Sequence, residues 1–140
     1  MKRRVFFDTN VFIYLLDRQA PKKQQRAEKL VRIAAADGTG VTSYQVAQEF
    51  LNVATTKLRK QMSAEEALRF VIKLIWPLCE ITPMVRLYST ALGIHQRTGW
   101  TFYDSLIVAS AQAAECAVLY SEDLQDGRII DGLEIRNPFR

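Results

Sequence analysis

Arg4-Val5-Phe6-Phe7-Asp8-Thr9-Asn10-Val11-Phe12-Ile13 is the stretch that decides the fold. Its opening is short, β-branched and aromatic with no polar alternation, as expected of a strand buried on both faces. The strand stops at Asp8, and Asp8-Thr9-Asn10 reads as a turn. A second apolar run, Val11 to Leu16, follows at once, so Asp8 lies between two apolar segments and its charge needs a partner if it is buried.

Outward from this segment, strand and helix signals alternate. Ala27, Leu30, Val31, Ala34 and Ala35 recur at helical spacing until Asp37-Gly38 closes the helix. Gly40-Val41-Thr42-Ser43 is a second short strand. From Tyr44 the pattern is helical, with Val46, Ala47, Phe50, Leu51, Ala54 and Leu58 on one face and Gln45, Gln48, Glu49 and Asn52 off it. Ser63-Ala64-Glu65-Glu66 is a capping box opening a helix that Pro77 ends. Leu78-Cys79-Glu80-Ile81 is a third strand, and Thr82-Pro83 places an N-cap before a proline at the first helical position. That helix runs through Tyr88, Leu92 and His95 to Gly99. Thr101-Phe102-Tyr103-Asp104 is a second capping box and starts the most apolar helix of the chain. Ala117-Val118-Leu119-Tyr120 is a fourth buried strand, and Leu133-Glu134-Ile135-Arg136 a weaker fifth at the sheet edge. The fold class is α/β: a central, mostly parallel sheet of four to five strands flanked by helices on both faces.

The chain has 140 residues, which against roughly 150 per domain predicts one domain over 1–140. With 49% hydrophobic and 24% charged residues, six glycines and four prolines, it has the composition of a globular protein rather than a disordered or fibrous one. Apolar runs such as Val11 to Leu16 fall short of the ~20 residues of a membrane span, and Asp8 interrupts any signal-peptide core. Cys79 and Cys116 have no CxxC spacing and read as reduced, packed thiols of a cytoplasmic protein. The lone His95 excludes His-rich zinc sites and disfavours a His-based triad. Nineteen basic against fifteen acidic side chains give a net charge of +4. The basic residues gather at Lys2-Arg3-Arg4, at Lys22-Lys23 with Arg26, Lys29 and Arg32, and at Lys57-Arg59-Lys60, where they either track phosphates or form solvated helix faces.

In such sheets ligands bind beyond the carboxyl ends of the strands, and the residues there are acidic. Asp8 follows strand one, Glu49 lies in the helix after strand two, Asp104 starts the apolar helix, and Asp123 follows strand four. Asp104 and Asp123 have a competing role as first-turn helix acids, and Glu49 as an ordinary solvated residue. If the four converge, their repulsion raises their pKa values unless a cation holds them. Oxygen ligands without His or Cys suit Mg²⁺ or Mn²⁺, and an ion so held activates water against a phosphodiester.

Val5-Phe6-Phe7-Asp8-Thr9-Asn10-Val11, Ser43-Tyr44-Gln45-Val46-Ala47-Gln48-Glu49-Phe50, Thr101-Phe102-Tyr103-Asp104-Ser105-Leu106-Ile107 and Leu119-Tyr120-Ser121-Glu122-Asp123-Leu124 resemble, in order, the four motifs of the PIN-domain ribonucleases, most nearly the VapC-type toxins of toxin-antitoxin modules. The resemblance covers nearly the whole chain. It implies a three-layer PIN fold and a Mg²⁺- or Mn²⁺-dependent endoribonuclease with Asp8, Glu49, Asp104 and Asp123 as catalytic metal-site acids. Glu122 competes with Asp123 for the fourth place, with Asp126 nearby. Thr9, Asn10, Ser43, Ser121 and Glu122 are implied as hydrogen-bonding neighbours of the acids or of metal-bound water. Tyr103 stands where many relatives have Trp, and Ser105 where Ala is common. An RNA substrate, a cognate antitoxin and a homodimer are expected from the resemblance alone; the helix from Lys22 to Asp37, lined by aliphatic residues, is one candidate for a partner groove.

Other classes compete. A nuclease-like module that binds RNA or protein without turnover shares every acid. A receiver-like domain lacks its early acid pair and a phosphoacceptor in the middle strand. An aspartyl phosphatase built on Asp8 finds Asn10 where its second acid belongs.

Overall fold

The structure, a computed structural model, describes residues 2–140. Strand β1 (Val5–Phe7) leads into α1 (Thr9–Leu16) and α2 (Pro21–Asp37), followed by β2 (Gly40–Ser43) and α3 (Tyr44–Thr55). After α4 (Ala64–Phe70) the helical path widens into π-type turns over Val71–Ile75 and tightens to a 3₁₀ turn at Trp76–Leu78 before β3 (Cys79–Ile81). Then come α5 (Val85–Thr98), α6 (Phe102–Ala113), β4 (Val118–Tyr120), β5 (Ile129–Ile130) and β6 (Leu133–Arg136). The strands lie in the order β3-β2-β1-β4-β6-β5, every pair parallel except the β5–β6 hairpin. Six helices flank this sheet in a three-layer α/β arrangement.

Side chains alternate across a strand, yet Phe6 and Phe7 are both fully buried, because helices cover both faces of the sheet. Leu119 and Ile135 on the neighbouring strands are as deeply packed, and Phe7 sits edge-on to Phe12 and stacks with Tyr120. α2 ends where Gly38, at φ +68°, takes the left-handed conformation and donates its N–H to the carbonyls of Ala34 and Ala35. The Ser63–Glu66 capping box forms in both directions. No described helix is long and apolar enough to cross a membrane. Both cysteines are free thiols, and burial pushes each up to about 11.

The structure corrects several expectations. The sheet has six strands rather than four to five, and β6 lies inside it, between β4 and β5, instead of at the edge. The true edge is the two-residue β5, folded back by a turn in which Asp131 and Gly132 both have positive φ, the geometry a two-residue hairpin requires. Thr82 does not cap α5: the chain stays extended through Met84, which precedes the helix without a side-chain cap. α3 stops at Thr55, leaving Leu58 in the turns that follow. Pro77 sits within the 3₁₀ turn, where its missing N–H costs no α-helical hydrogen bond. Residues 9–16, read only as an apolar run, form α1 with Asp8 as N-cap.

Candidate active site

The chain leaves β1 for β2 on one side and returns through β4 on the other, so the carboxyl ends of β1 and β4 form the crevice where a doubly wound sheet binds its ligand. Asp8 closes β1 there, 6% exposed. Its Oδ1 accepts the N–H of Thr9 at 2.7 Å, and its Oδ2 accepts the hydroxyl of Ser121, the residue after β4, at 2.7 Å. Burial pushes the Asp8 carboxyl up to about 7; the bonds from Ser121 and Thr9 oppose the shift, while the charges of Glu49 and Asp123 add to it.

Glu49 reaches the same crevice from the second turn of α3. Its Oε2 accepts the Thr9 hydroxyl at 2.6 Å and its Oε1 the Gln45 amide at 2.9 Å. Asp104 stands in the first turn of α6, its backbone N–H capped by Thr101 Oγ1 at 3.1 Å. Partial burial raises its pKa, and Asp123 and Glu49 raise it further. The N-termini of α1, α3 and α6 all open toward these acids, so the helix dipoles offset part of their mutual repulsion.

The two rivals for the fourth place have different surroundings. Asp123 is exposed, accepts the Asn10 amide at 3.2 Å, and adds to the negative field felt by Asp8 and Asp104. Glu122 is engaged by Tyr14 and Lys23, at 2.6 and 2.7 Å. Asp126 accepts the backbone N–H of Asn137 and pairs with Arg140, so it braces the C-terminal segment. Neither Asp123 nor Asp126 opens a helix, because turns follow β4.

Among the expected neighbours, Thr9, Asn10 and Ser121 join the acid network. Asn10 spans the turn after β4: its Oδ1 accepts the N–H of Glu122 at 3.3 Å while its amide donates to Asp123. Ser121 Oγ also accepts the N–H of Asp123 at 3.2 Å. Ser43 has no hydrogen bond to an acid. Its buried hydroxyl is unpartnered and lines a separate groove with Tyr88, Phe102 and Tyr103. Sequence reasoning missed Gln45, which ties Glu49 to the carbonyl of Tyr103 at 3.2 Å; its signal was the i, i+4 spacing to Glu49 on one helix face. It also missed Tyr14 and the pairing of Lys23. An open groove of about 590 Å³ beside the acids is lined by Thr9, Asn10, Glu49, Asn52, Lys57 and Asp123. Lys57 thus belongs to the acid groove rather than to a detached solvated face.

Residues 5–127 match the PIN domain. The chain belongs to the PIN domain family. Among solved structures, a toxin-antitoxin complex from Klebsiella pneumoniae is similar over 96% of this chain and 97% of that one, with TM-score 0.63 and 19% identity. VapBC2 from Rickettsia felis bound to a DNA fragment from their promoter is similar over 94% of this chain and 96% of that one, with TM-score 0.58 and 15% identity. At these identities the likeness is one of fold. No match was found among curated proteins. PIN domains are nucleases and generally use divalent metal ions.

The donor set of this PIN domain suits a hard divalent ion. Asp8, Glu49, Asp104 and Asp123 offer only carboxylate oxygens, and a cation among them would offset the burial and the mutual repulsion that raise Asp8 and Asp104. Among the described residues no three His, Cys, Asp or Glu side chains form a ready ligating cluster. The oxygens of Asp8 and Glu49 are instead engaged by Thr9, Ser121 and Gln45. Magnesium keeps most of its ligand positions for water, so a few of these carboxylates would suffice to hold it.

Proposed function

We propose that this PIN domain, one domain over 1–140, is a Mg²⁺- or Mn²⁺-dependent endoribonuclease and the toxin of a toxin-antitoxin pair. The observation that carries the proposal is Asp8: a carboxylate buried between β1 and β4, raised by burial and by its acidic neighbours. A buried acid facing two further acids is unfavourable for the protein alone and favourable for a cation. A divalent ion bound there supplies an activated water and neutralises charge on the leaving oxygen. Asp8, Glu49, Asp104 and Asp123 hold the site; Ser121 and Thr9 fix the Asp8 carboxylate, and Thr9 and Gln45 orient Glu49. Lys57, beside Asn52 in the acid groove, gives a phosphate backbone its approach. No protein nucleophile is required, and Asn10, which the phosphatase alternative would need as an acid, is occupied in bridging the turn after β4.

The toxin-antitoxin complexes of the same fold support an antitoxin partner. Homodimerisation is supported by the apolar outer face of α5, where Val85 is 82% exposed and Met84, Tyr88 and Leu92 are exposed beside it. The two free thiols support a cytoplasmic location. The test is incubation of the purified protein with a mixed pool of structured and single-stranded RNAs in Mg²⁺, Mn²⁺ or EDTA. The proposal predicts cutting with an ion and none in EDTA. RNA binding without cutting in either ion points to a binding module.

A further inference from the structure

We propose that Tyr14 and Lys23 are positioning residues: by gripping Glu122 they hold the turn 121–123 so that its next residue, Asp123, faces the divalent-ion site. The inference rests on the metal-dependent nuclease proposed above.

Asp123 is the exposed residue of a turn outside any strand or helix whose neighbours Ser121 and Leu124 are buried, and it is tethered by Asn10 and by its own N–H on Ser121. The backbone beside it is held by Asn10, which accepts the Glu122 N–H, and by the Ser121 N–H on the Arg136 carbonyl. The Glu122 side chain adds an anchor on the opposite side. Its Oε1 accepts the Tyr14 hydroxyl at 2.6 Å and its Oε2 the Lys23 ammonium at 2.7 Å; Lys23 also donates to the Tyr14 oxygen at 3.0 Å. The three residues come from α1, α2 and the turn after β4, so the grip joins two helices to the acid-bearing turn. Lys23 further lies 4.8 Å from the centroid of the Tyr14 ring, whose other neighbour is Phe139, edge-on at 4.7 Å. Arg26 donates to the carbonyl of Pro138 at 3.0 Å, fixing the C-terminal segment beside that ring.

The local charge pattern fits this role. The first turn of α2 holds Lys22 and Lys23 and no acid, an arrangement the helix dipole disfavours. Pairing with Glu122 explains why a cation is placed there. It also neutralises Glu122, so that of the adjacent acids only Asp123 adds its charge to the site.

The experiment measures Mn²⁺ affinity by calorimetry, with melting temperature in parallel, for wild type, Lys23→Met, Tyr14→Phe, Lys23→Arg and the control Arg97→Met, which breaks the exposed Arg97–Asp131 pair outside the acid groove. Lys23→Met and Tyr14→Phe are expected to weaken Mn²⁺ binding about 10-fold, as loss of an outer hydrogen-bonding partner does at metal sites. RNA cleavage should recover at saturating Mn²⁺ with KM for RNA unchanged. Lys23→Arg, which keeps a cation in reach of Glu122, should retain the affinity, and Arg97→Met should match wild type. Unchanged Mn²⁺ affinity with a raised KM for RNA would overturn the proposal and make Lys23 a phosphate-binding cation. Loss of affinity only in proportion to lost folding would overturn it in favour of a purely structural cluster. If wild type and Asp8→Asn are alike in taking up no Mn²⁺, the nuclease proposal fails too, and the two failures are thereby told apart.

Discussion

In the metal-free protein at pH 8, replacing Asp8 by Asn is expected to raise stability. Burial pushes the Asp8 carboxyl from 3.8 to about 7, so between those values the folded state holds a proton that the unfolded chain releases. The folded state then binds more protons than the unfolded one, and stability falls as pH rises through this window, the loss being complete above about pH 7. At about 1.4 kcal/mol per pKa unit the cost of ionised Asp8 approaches about 4 kcal/mol. Asparagine has the same shape and no charge. Its Oδ1 can accept the Thr9 N–H and its amide can donate to Ser121 Oγ, whose two lone pairs also serve the N–H of Asp123. The variant should therefore melt higher than wild type at pH 8 by on the order of 10 °C, and the two should converge only below the unfolded-state value of 3.8. Added Mg²⁺ should raise wild type and leave the variant unmoved. Thermal melts from about pH 3.5 to about pH 8 with and without Mg²⁺ make the comparison. Parallel curves for the two proteins over the whole range would refute the assignment of Asp8 as a buried carboxylate that ionises at a cost.

Ser121→Ala leaves Asp8 Oδ2 and the N–H of Asp123 without their shared partner; denaturant titration should show a loss of about 1–3 kcal/mol, and Mn²⁺ affinity should drop about 10–100-fold. Gly132→Val forces a β-branched residue into φ +86° in the β5–β6 turn, costing about 1–2 kcal/mol in the same titration while kcat of the folded protein stays unchanged. Lys57→Ala should weaken RNA binding, measured from 50 to 200 mM salt, and reduce the slope of log affinity against log salt by about one; a slope equal to that of wild type would remove Lys57 from the RNA path.

Local chemistry made much of this legible in the sequence. Asp8 is visible as the acid at the end of an apolar strand, Gly38 and Gly99 mark helix ends, and the Ser63–Glu66 pair marks a helix start. Long-range pairing was not legible. β6 looks weak because its residues alternate, yet it gains a parallel partner in β4 and an antiparallel one in β5. The hairpin did carry a signal, Asp131-Gly132 between Ile129-Ile130 and the alternating Leu133-Glu134-Ile135, that the two-residue length of β5 made easy to pass over. Spacing alone could not choose between Glu122 and Asp123, since neighbours in an extended turn face opposite ways. The partners that distinguish them, Tyr14 and Lys23 on one side and Asn10 on the other, lie a hundred residues away in the chain. Ser43 shows the converse: adjacent in sequence to the helix of Glu49, it lines a different groove with its hydroxyl unpartnered.

The most direct test of the central claim is RNA cleavage by Asp8→Asn and Asp104→Asn beside wild type, at saturating Mg²⁺ or Mn²⁺ with the folded state of each confirmed by circular dichroism. The carboxylate site predicts a loss of about 100-fold or more in each variant, since each removes a charge that holds the ion. Cleavage at the wild-type rate by folded Asp8→Asn and Asp104→Asn would contradict it and place the chemistry elsewhere on the chain.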